Sequence, residues 1–88
     1  MGSTTPEFAA ELEHIKQIIP LGARYFHYKH TEKTYKIILH GFIEATGEPA
    51  IVYQLEYGDK TIWIRTSAVF LEEVEWKGKK VPRFTRIS

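Results

Sequence analysis

The stretch Ile51–Thr66, IVYQLEYGDKTIWIRT, holds two runs of alternating, β-branched and aromatic residues around a Gly-Asp pair. Alternation with a period of two marks strands with one buried face, and Gly at the first central position of Tyr57-Gly58-Asp59-Lys60 marks a two-residue hairpin loop. With Gly58-Asp59 as that loop, Tyr57 pairs with Lys60, Leu55 with Ile62, Gln54 with Trp63, Tyr53 with Ile64 and Val52 with Arg65. One face then carries Ile51, Tyr53, Leu55, Tyr57, Ile62 and Ile64 and is the expected core. The other carries Gln54, Glu56, Thr61, Trp63 and Arg65, a polar surface with one large indole in it. An indole and a guanidinium together on a solvent face are the sharpest candidate contact residues in the chain.

The same period extends upstream through RYFHYKH (Arg24–His30) and YKIILHGFIEA (Tyr35–Ala45). A loop over Thr31–Thr34 pairs His30 with Tyr35 and Tyr28 with Ile37. Phe26, Tyr28, Tyr35, Ile37 and Leu39 then share the core face, leaving Tyr25, His27, Lys29, Lys36, Ile38 and His40 outside. A loop one residue shorter would turn His27 inward against Ile37, because a slip of one residue exchanges the faces. The hydrophobic count favours the longer loop. Downstream, TSAVFLEE predicts a single helical turn capped by Ser67, and EVEW and KVPRF predict two short strands joined by KGK. ATGEPA, between the two hairpins, is a turn cluster.

The start of the chain has a different period. TTPEFAAELEHIKQIIP carries Thr5 as N-cap, Pro6 at the first helical position, Glu7 in the first turn and Pro20 as the stop, so a helix is expected over about residues 5–19. Phe8, Leu12, Ile15 and Ile19 form one apolar stripe that must be buried, and Trp63 is one surface it could cover. Met1-Gly2-Ser3 has the look of a cloning remnant. The expected division is an N-terminal extension with its helix over residues 1–21 and a small β-barrel domain over 22–88. The fold class is mainly β (α+β), a small antiparallel SH3-like barrel or bent sheet with one N-terminal helix.

Composition narrows the function classes. Eighty-eight residues make one domain with a single modest core, for which a net stability of roughly 4 to 13 kcal/mol is expected. There is no cysteine, so disulfides and thiolate chemistry are excluded, which fits a reducing, cytoplasmic setting. No apolar run approaches a membrane span, and a net charge of +1 draws the chain to neither nucleic acid nor acidic lipid as a whole.

His27 and His30 are three apart, which on a strand sends them to opposite faces, so they cannot share an ion. In the favoured register His27 and His40 are diagonal neighbours, but two histidines without a thiolate or carboxylate make a poor zinc site. No metal or other cofactor is expected. Glu73 and Glu75 share a strand face at a backbone separation of roughly 7 Å, compatible with a carboxylate pair, yet EEVEW is also the ordinary pattern of a half-exposed strand. Ser67 lacks a nucleophile motif, and the glycines are scattered through turns rather than gathered into a phosphate loop. KGKKVPRFTR carries five cations and no acid around Phe84, which makes Lys77, Lys79, Lys80, Arg83 and Phe84 the candidate surface for single-stranded nucleic acid.

GARYFHYKH, VYQLEYGD, IWIRTSAVFLEEV and GKKVPRF, in this order, resemble the small bacterial family known as domain of unknown function 1653. The resemblance runs from about Gly22 to Phe84. Its blocks fall on Tyr25, His27, Tyr28 and Lys29; on Val52, Tyr53 and Tyr57; on Trp63 and Arg65; and on Val81, Pro82, Arg83 and Phe84. Thr66 stands where the family pattern has a proline after the tryptophan block, and Ile43 where it has a histidine. The resemblance implies a compact SH3-like β fold and a bacterial, cytoplasmic setting, and it implies no activity.

These readings lead to a non-enzymatic binding module that uses His27, Tyr25, Gln54, Trp63 and Arg65 for a protein, peptide or small polar ligand. The alternatives are single-stranded nucleic-acid binding at the basic C-terminal hairpin and an accessory domain of an enzyme with His27 in a pocket. The chain is expected to stay off membranes and to be a monomer or, through an exposed strand edge, a weak dimer.

Overall fold

Thr5 caps the first helix as its side-chain chemistry demands: its hydroxyl accepts from the Phe8 N–H at 3.1 Å. Pro6 then opens α1, Pro6–Ile18, and Pro20 follows the C-cap Ile19. This is a computed structural model in which residues 5–88 are described, so Met1-Gly2-Ser3 lies outside them. Leu12, Ile15 and Ile19 are buried and Phe8 is half-buried, as the apolar stripe requires. The helix lies on the second and third strands.

Seven strands follow among the described residues: β1 Arg24–His27, β2 His30–Phe42, β3 Pro49–Leu55, β4 Ile62–Thr66, β5 Glu73–Trp76, β6 Lys79–Pro82 and β7 Phe84–Arg86. Five form one antiparallel sheet in the order β4-β3-β2-β1-β7, and β5 and β6 form a separate ribbon. The large sheet is open, with β4 and β7 at its edges, and its concave face is the core. A second short helix, α2 Ser67–Phe70, joins β4 to β5. Its cap is Thr66 rather than the expected Ser67: the Thr66 hydroxyl accepts from the Val69 N–H, while Ser67 is fully buried and donates to Glu11 on α1.

The core gathers Ile15 from α1 and its C-cap Ile19, Ile37 from β2, and Ile51 and Tyr53 from β3, closed by Tyr25, Phe70 and Phe84. Each full burial of an isoleucine stabilises by about 1.5–3 kcal/mol. Phe70 and Phe84 stack with centroids 4.3 Å apart and planes 7° from parallel, so α2 and β7 meet across the concave face.

Three registers differ from the sequence expectation, each because the chain inserts residues that alternation cannot count. Gln54 faces Ile62, Tyr53 faces Trp63 and Ile51 faces Arg65, one position away from the two-residue loop register. Lys60, at φ 54, holds the extra residue, and the Asp59 carboxylate accepts from the Thr61 N–H and hydroxyl behind it. Ile62 and Ile64 therefore point out of the core, 53% and 61% exposed, and Tyr57 is exposed too. In the first hairpin the turn is Tyr28-Lys29, not Thr31–Thr34, with Tyr25 opposite Tyr35 and His27 opposite His30. Tyr25 is thus buried, whereas Phe26 and Tyr28, expected inside, are only half-buried; Tyr28 packs edge-on against Trp76 at 5.3 Å. Finally, Ile38 is a β-bulge between Ile37 and Leu39. It turns Leu39 out to solvent and His40 inward, where Nε2 donates to the Ile19 carbonyl at 2.6 Å and ties β2 to the end of α1.

Candidate functional site

The extra residue at Lys60 brings Trp63 and Arg65 round to the concave face, at the end of the sheet that α1 does not occupy. Arg65 is anchored there: its Nε donates to the Tyr53 hydroxyl at 2.7 Å, and its guanidinium carbon lies 5.8 Å from the Phe84 ring centre. Tyr35 packs edge-on against Tyr53 with centroids 5.4 Å apart. From across the sheet His27 meets Phe84 edge-on at 5.3 Å, and His30 stacks beside His27 at 6.2 Å. Together with Trp63, half of whose surface stays exposed, these side chains line a cavity of about 170 Å³.

Its electrostatics are one-sided. No carboxylate is on the wall, and among the described residues Arg65 has no acidic partner. His27 Nδ1 accepts from the Lys29 N–H at 3.2 Å, a bond open only to the neutral ring, so the proton of that ring sits on Nε2. Burial, and then the charges of Arg65, His30, Arg83 and Lys29, hold the His27 pKa below its ordinary 6.5. Burial likewise raises the phenols of Tyr53 and Tyr35, outweighing the nearby Arg65 cation, so both stay protonated donors. Arg83, just beyond the wall, pairs through Nη2 with Glu72 at 3.2 Å and keeps its buried Nε without a hydrogen-bond partner.

Of the five candidate contact residues, the structure brings three together: His27, Trp63 and Arg65. Tyr25 is part of the core, packed edge-on against Phe70 at 5.3 Å. Gln54 lies on the opposite sheet face, beside Lys36 and Glu56, and donates to the Lys60 carbonyl at 3.0 Å. The cavity is also lined by His30, Tyr35 and Tyr53, which sequence reasoning does not select, and by Phe84, which it selects only for the nucleic-acid surface. Reaching His30 required a turn at Tyr28-Lys29, and reaching the others required the right parity of β4. His27 and His30 therefore share a face, contrary to the odd-spacing argument. Among the described residues no group of three or more His, Cys, Asp or Glu could hold a metal ion.

The basic hairpin is less well arranged for stacking than its sequence suggests. Lys77, Lys79 and Lys80 are exposed on the β5–β6 ribbon, but Phe84 is 7% exposed beneath Arg65, and Arg83 is engaged by Glu72. Glu73 and Glu75 are exposed on β5, with Glu75 directly opposite Lys80. Among the described residues no helix is long and apolar enough to cross a membrane.

Residues 23–86 match the family described as Protein of unknown function (DUF1653). Comparison with curated proteins and with solved structures returns no match.

Proposed function

On the premise that the chain belongs to the family Protein of unknown function (DUF1653), whose description names no activity, we propose that it is a non-enzymatic binding module. It takes a small polar ligand, or the projecting side chain or terminus of a peptide, in the cavity between Trp63 and His27. The observation that carries this is the convergence of an exposed indole and an anchored, acid-free guanidinium on one concave wall. Such a wall supplies an aromatic plate, a fixed charge and hydrogen-bond donors around an apolar floor, the usual make-up of a small-ligand pocket.

Binding is supported over catalysis by what surrounds His27. The wall holds two phenols and two imidazoles but no carboxylate, serine, threonine or lysine, so no activated nucleophile stands beside a base. Nucleic-acid binding at the C-terminal hairpin draws less support, since Phe84 is covered by Arg65 and packed on Phe70, and Trp76 is half-buried against Tyr28.

The test is a two-dimensional NMR titration of the protein with a mixture of neutral, anionic and cationic small molecules. Binding at this cavity is expected to move the Trp63 indole N–H together with the amides of His27 and Arg65, and Trp63→Ala is expected to abolish the response while the remaining spectrum stays dispersed. Responses that cluster away from these residues, or that survive Trp63→Ala, would sink the proposal.

A further inference from the structure

We infer that the occupant of this cavity is a carboxylate borne on a flat ring; the inference rests on the binding reading above and names its ligand class. Arg65 points to it first. Its Nε is committed to Tyr53, which fixes the plane of the guanidinium, while its two Nη atoms have no protein partner among the described residues. A planar fork with two parallel N–H donors matches a carboxylate in bidentate geometry.

The surroundings agree in sign. The charges that act most strongly on His27 are cationic or potentially so, namely Arg65, His30, Arg83 and Lys29. Arg83 is neutralised only at its Nη2 edge, by Glu72, and its unpartnered Nε is buried close behind. Glu32, the acid nearest His30, is 3.8 Å from it on the exposed rim and is not on the cavity wall. An anion entering the cavity therefore meets the Arg65 cation on the wall, and no carboxylate on it.

The body of the ligand follows from the apolar part of the wall. Trp63 and Tyr35 present ring surfaces to a cavity of about 170 Å³ with Phe84 at its floor, room for a flat ring. Phosphate fits less well: no glycine or helix N-terminus lies on the wall to add backbone N–H groups, and ring surfaces take up much of the lining.

The experiment is a set of NMR titrations of the whole chain at constant ionic strength with benzoate, benzamide, benzamidinium and inorganic phosphate. Benzoate is expected to shift the Trp63 indole and the Arg65 side-chain N–H resonances saturably. Benzamide, the same ring without the charge, is expected to bind at least about tenfold more weakly, a difference in keeping with the loss of one charge-assisted pair. Benzamidinium and phosphate are expected to leave both resonances in place. Arg65→Gln should cost benzoate the same factor, and Arg65→Lys, which keeps the charge but not the fork, should recover only part of it. If either variant fails to fold, the comparison of benzoate with benzamide on the unaltered protein decides alone. Equal binding of benzoate and benzamide at Trp63, full benzoate affinity in Arg65→Gln, or tighter binding of phosphate than of benzoate each overturns the carboxylate assignment while leaving the cavity a binding site. Absence of a saturable benzoate shift also overturns it, and the neutral probes then judge the binding reading separately.

Discussion

The two glycine-containing hairpin turns, β3–β4 and β5–β6, look alike in sequence and behave differently. Lys77-Gly78 is a two-residue loop with both residues left-handed, φ 52 and 80, and Trp76 pairs with Lys79 across it. This is the turn whose twist suits antiparallel strands, and the ribbon beyond it keeps Val74 and Trp76 on one side. In Tyr57-Gly58-Asp59-Lys60 the left-handed positions are instead Gly58 and Lys60, φ 66 and 54, and the closing bond runs from Leu55 N–H to the Thr61 carbonyl at 3.0 Å. That one added residue reverses the parity of β4. It places an indole and a guanidinium over the core floor and leaves two isoleucines in water. Turn chemistry, not hydrophobicity, therefore selects which face of β4 forms the site.

The largest expected effect tests that the core stops short of β4. Ile51, which faces Arg65, is fully buried. Ile51→Ala removes most of a packed side chain and leaves a cavity, so it should cost about 2–5 kcal/mol, a large fraction of the stability of a chain this size. Urea denaturation checks it. A loss below 1 kcal/mol would mean that the floor beneath the site is not the core described.

Next in size is the ordinary turn. At Gly78, φ is +80 and open space surrounds the position where a Cβ would stand, so Gly78→Ala meets no clash, only the left-handed backbone itself. The expected cost is about 1–2 kcal/mol, visible as a lower denaturation midpoint with an unchanged slope.

The unusual turn should respond with the opposite sign. Lys60 is a non-glycine residue held left-handed, and Lys60→Gly removes that penalty at some cost in unfolded-chain entropy. A net stabilisation of up to about 1 kcal/mol is expected, with nuclear Overhauser contacts between Trp63 and Tyr53 retained. Loss of those contacts would show that Lys60, rather than the loop length, holds the register.

Much of this architecture is legible in the residues. Thr5, Pro6 and the stripe Leu12, Ile15 and Ile19 specify α1 and its buried side, and Gly and Pro punctuation locates most of the strands. What escapes is parity, in three places. Ile38 is chemically fit for either face, so nothing in the string Ile37-Ile38-Leu39 marks it as a bulge. The Tyr28-Lys29 turn contains neither Gly nor Asn, so its tightness carries no signature. Lys60 adopts a conformation that lysine seldom takes. Because a site on the concave face replaces apolar residues with Trp63, Arg65 and His27, counting hydrophobic residues favours the wrong register at the positions that matter most. Trp63, Arg65 and His27 nevertheless stand out by their chemistry, since an indole, a guanidinium and an imidazole in alternating strands are unusual on either face.

The smallest effect is the sharpest discriminator between the two registers. Ile64 faces Val52 on the outer side of the sheet and is 61% exposed. Under the two-residue loop register it would sit in the core beside Tyr53, and Ile64→Ser would then cost several kcal/mol by leaving a cavity and an unpaired hydroxyl. In the register observed, serine replaces a side chain already largely in water and still fits an extended backbone, so the change should stay within about 0.5 kcal/mol. The expected gain is solubility, because β4 is an open edge and Ile62 and Ile64 form an apolar step along it. A near-neutral Ile64→Ser beside a severe Ile51→Ala would place the inward face of β4 on Trp63 and Arg65 without reference to any ligand, because no strand can bury both faces against one concave core.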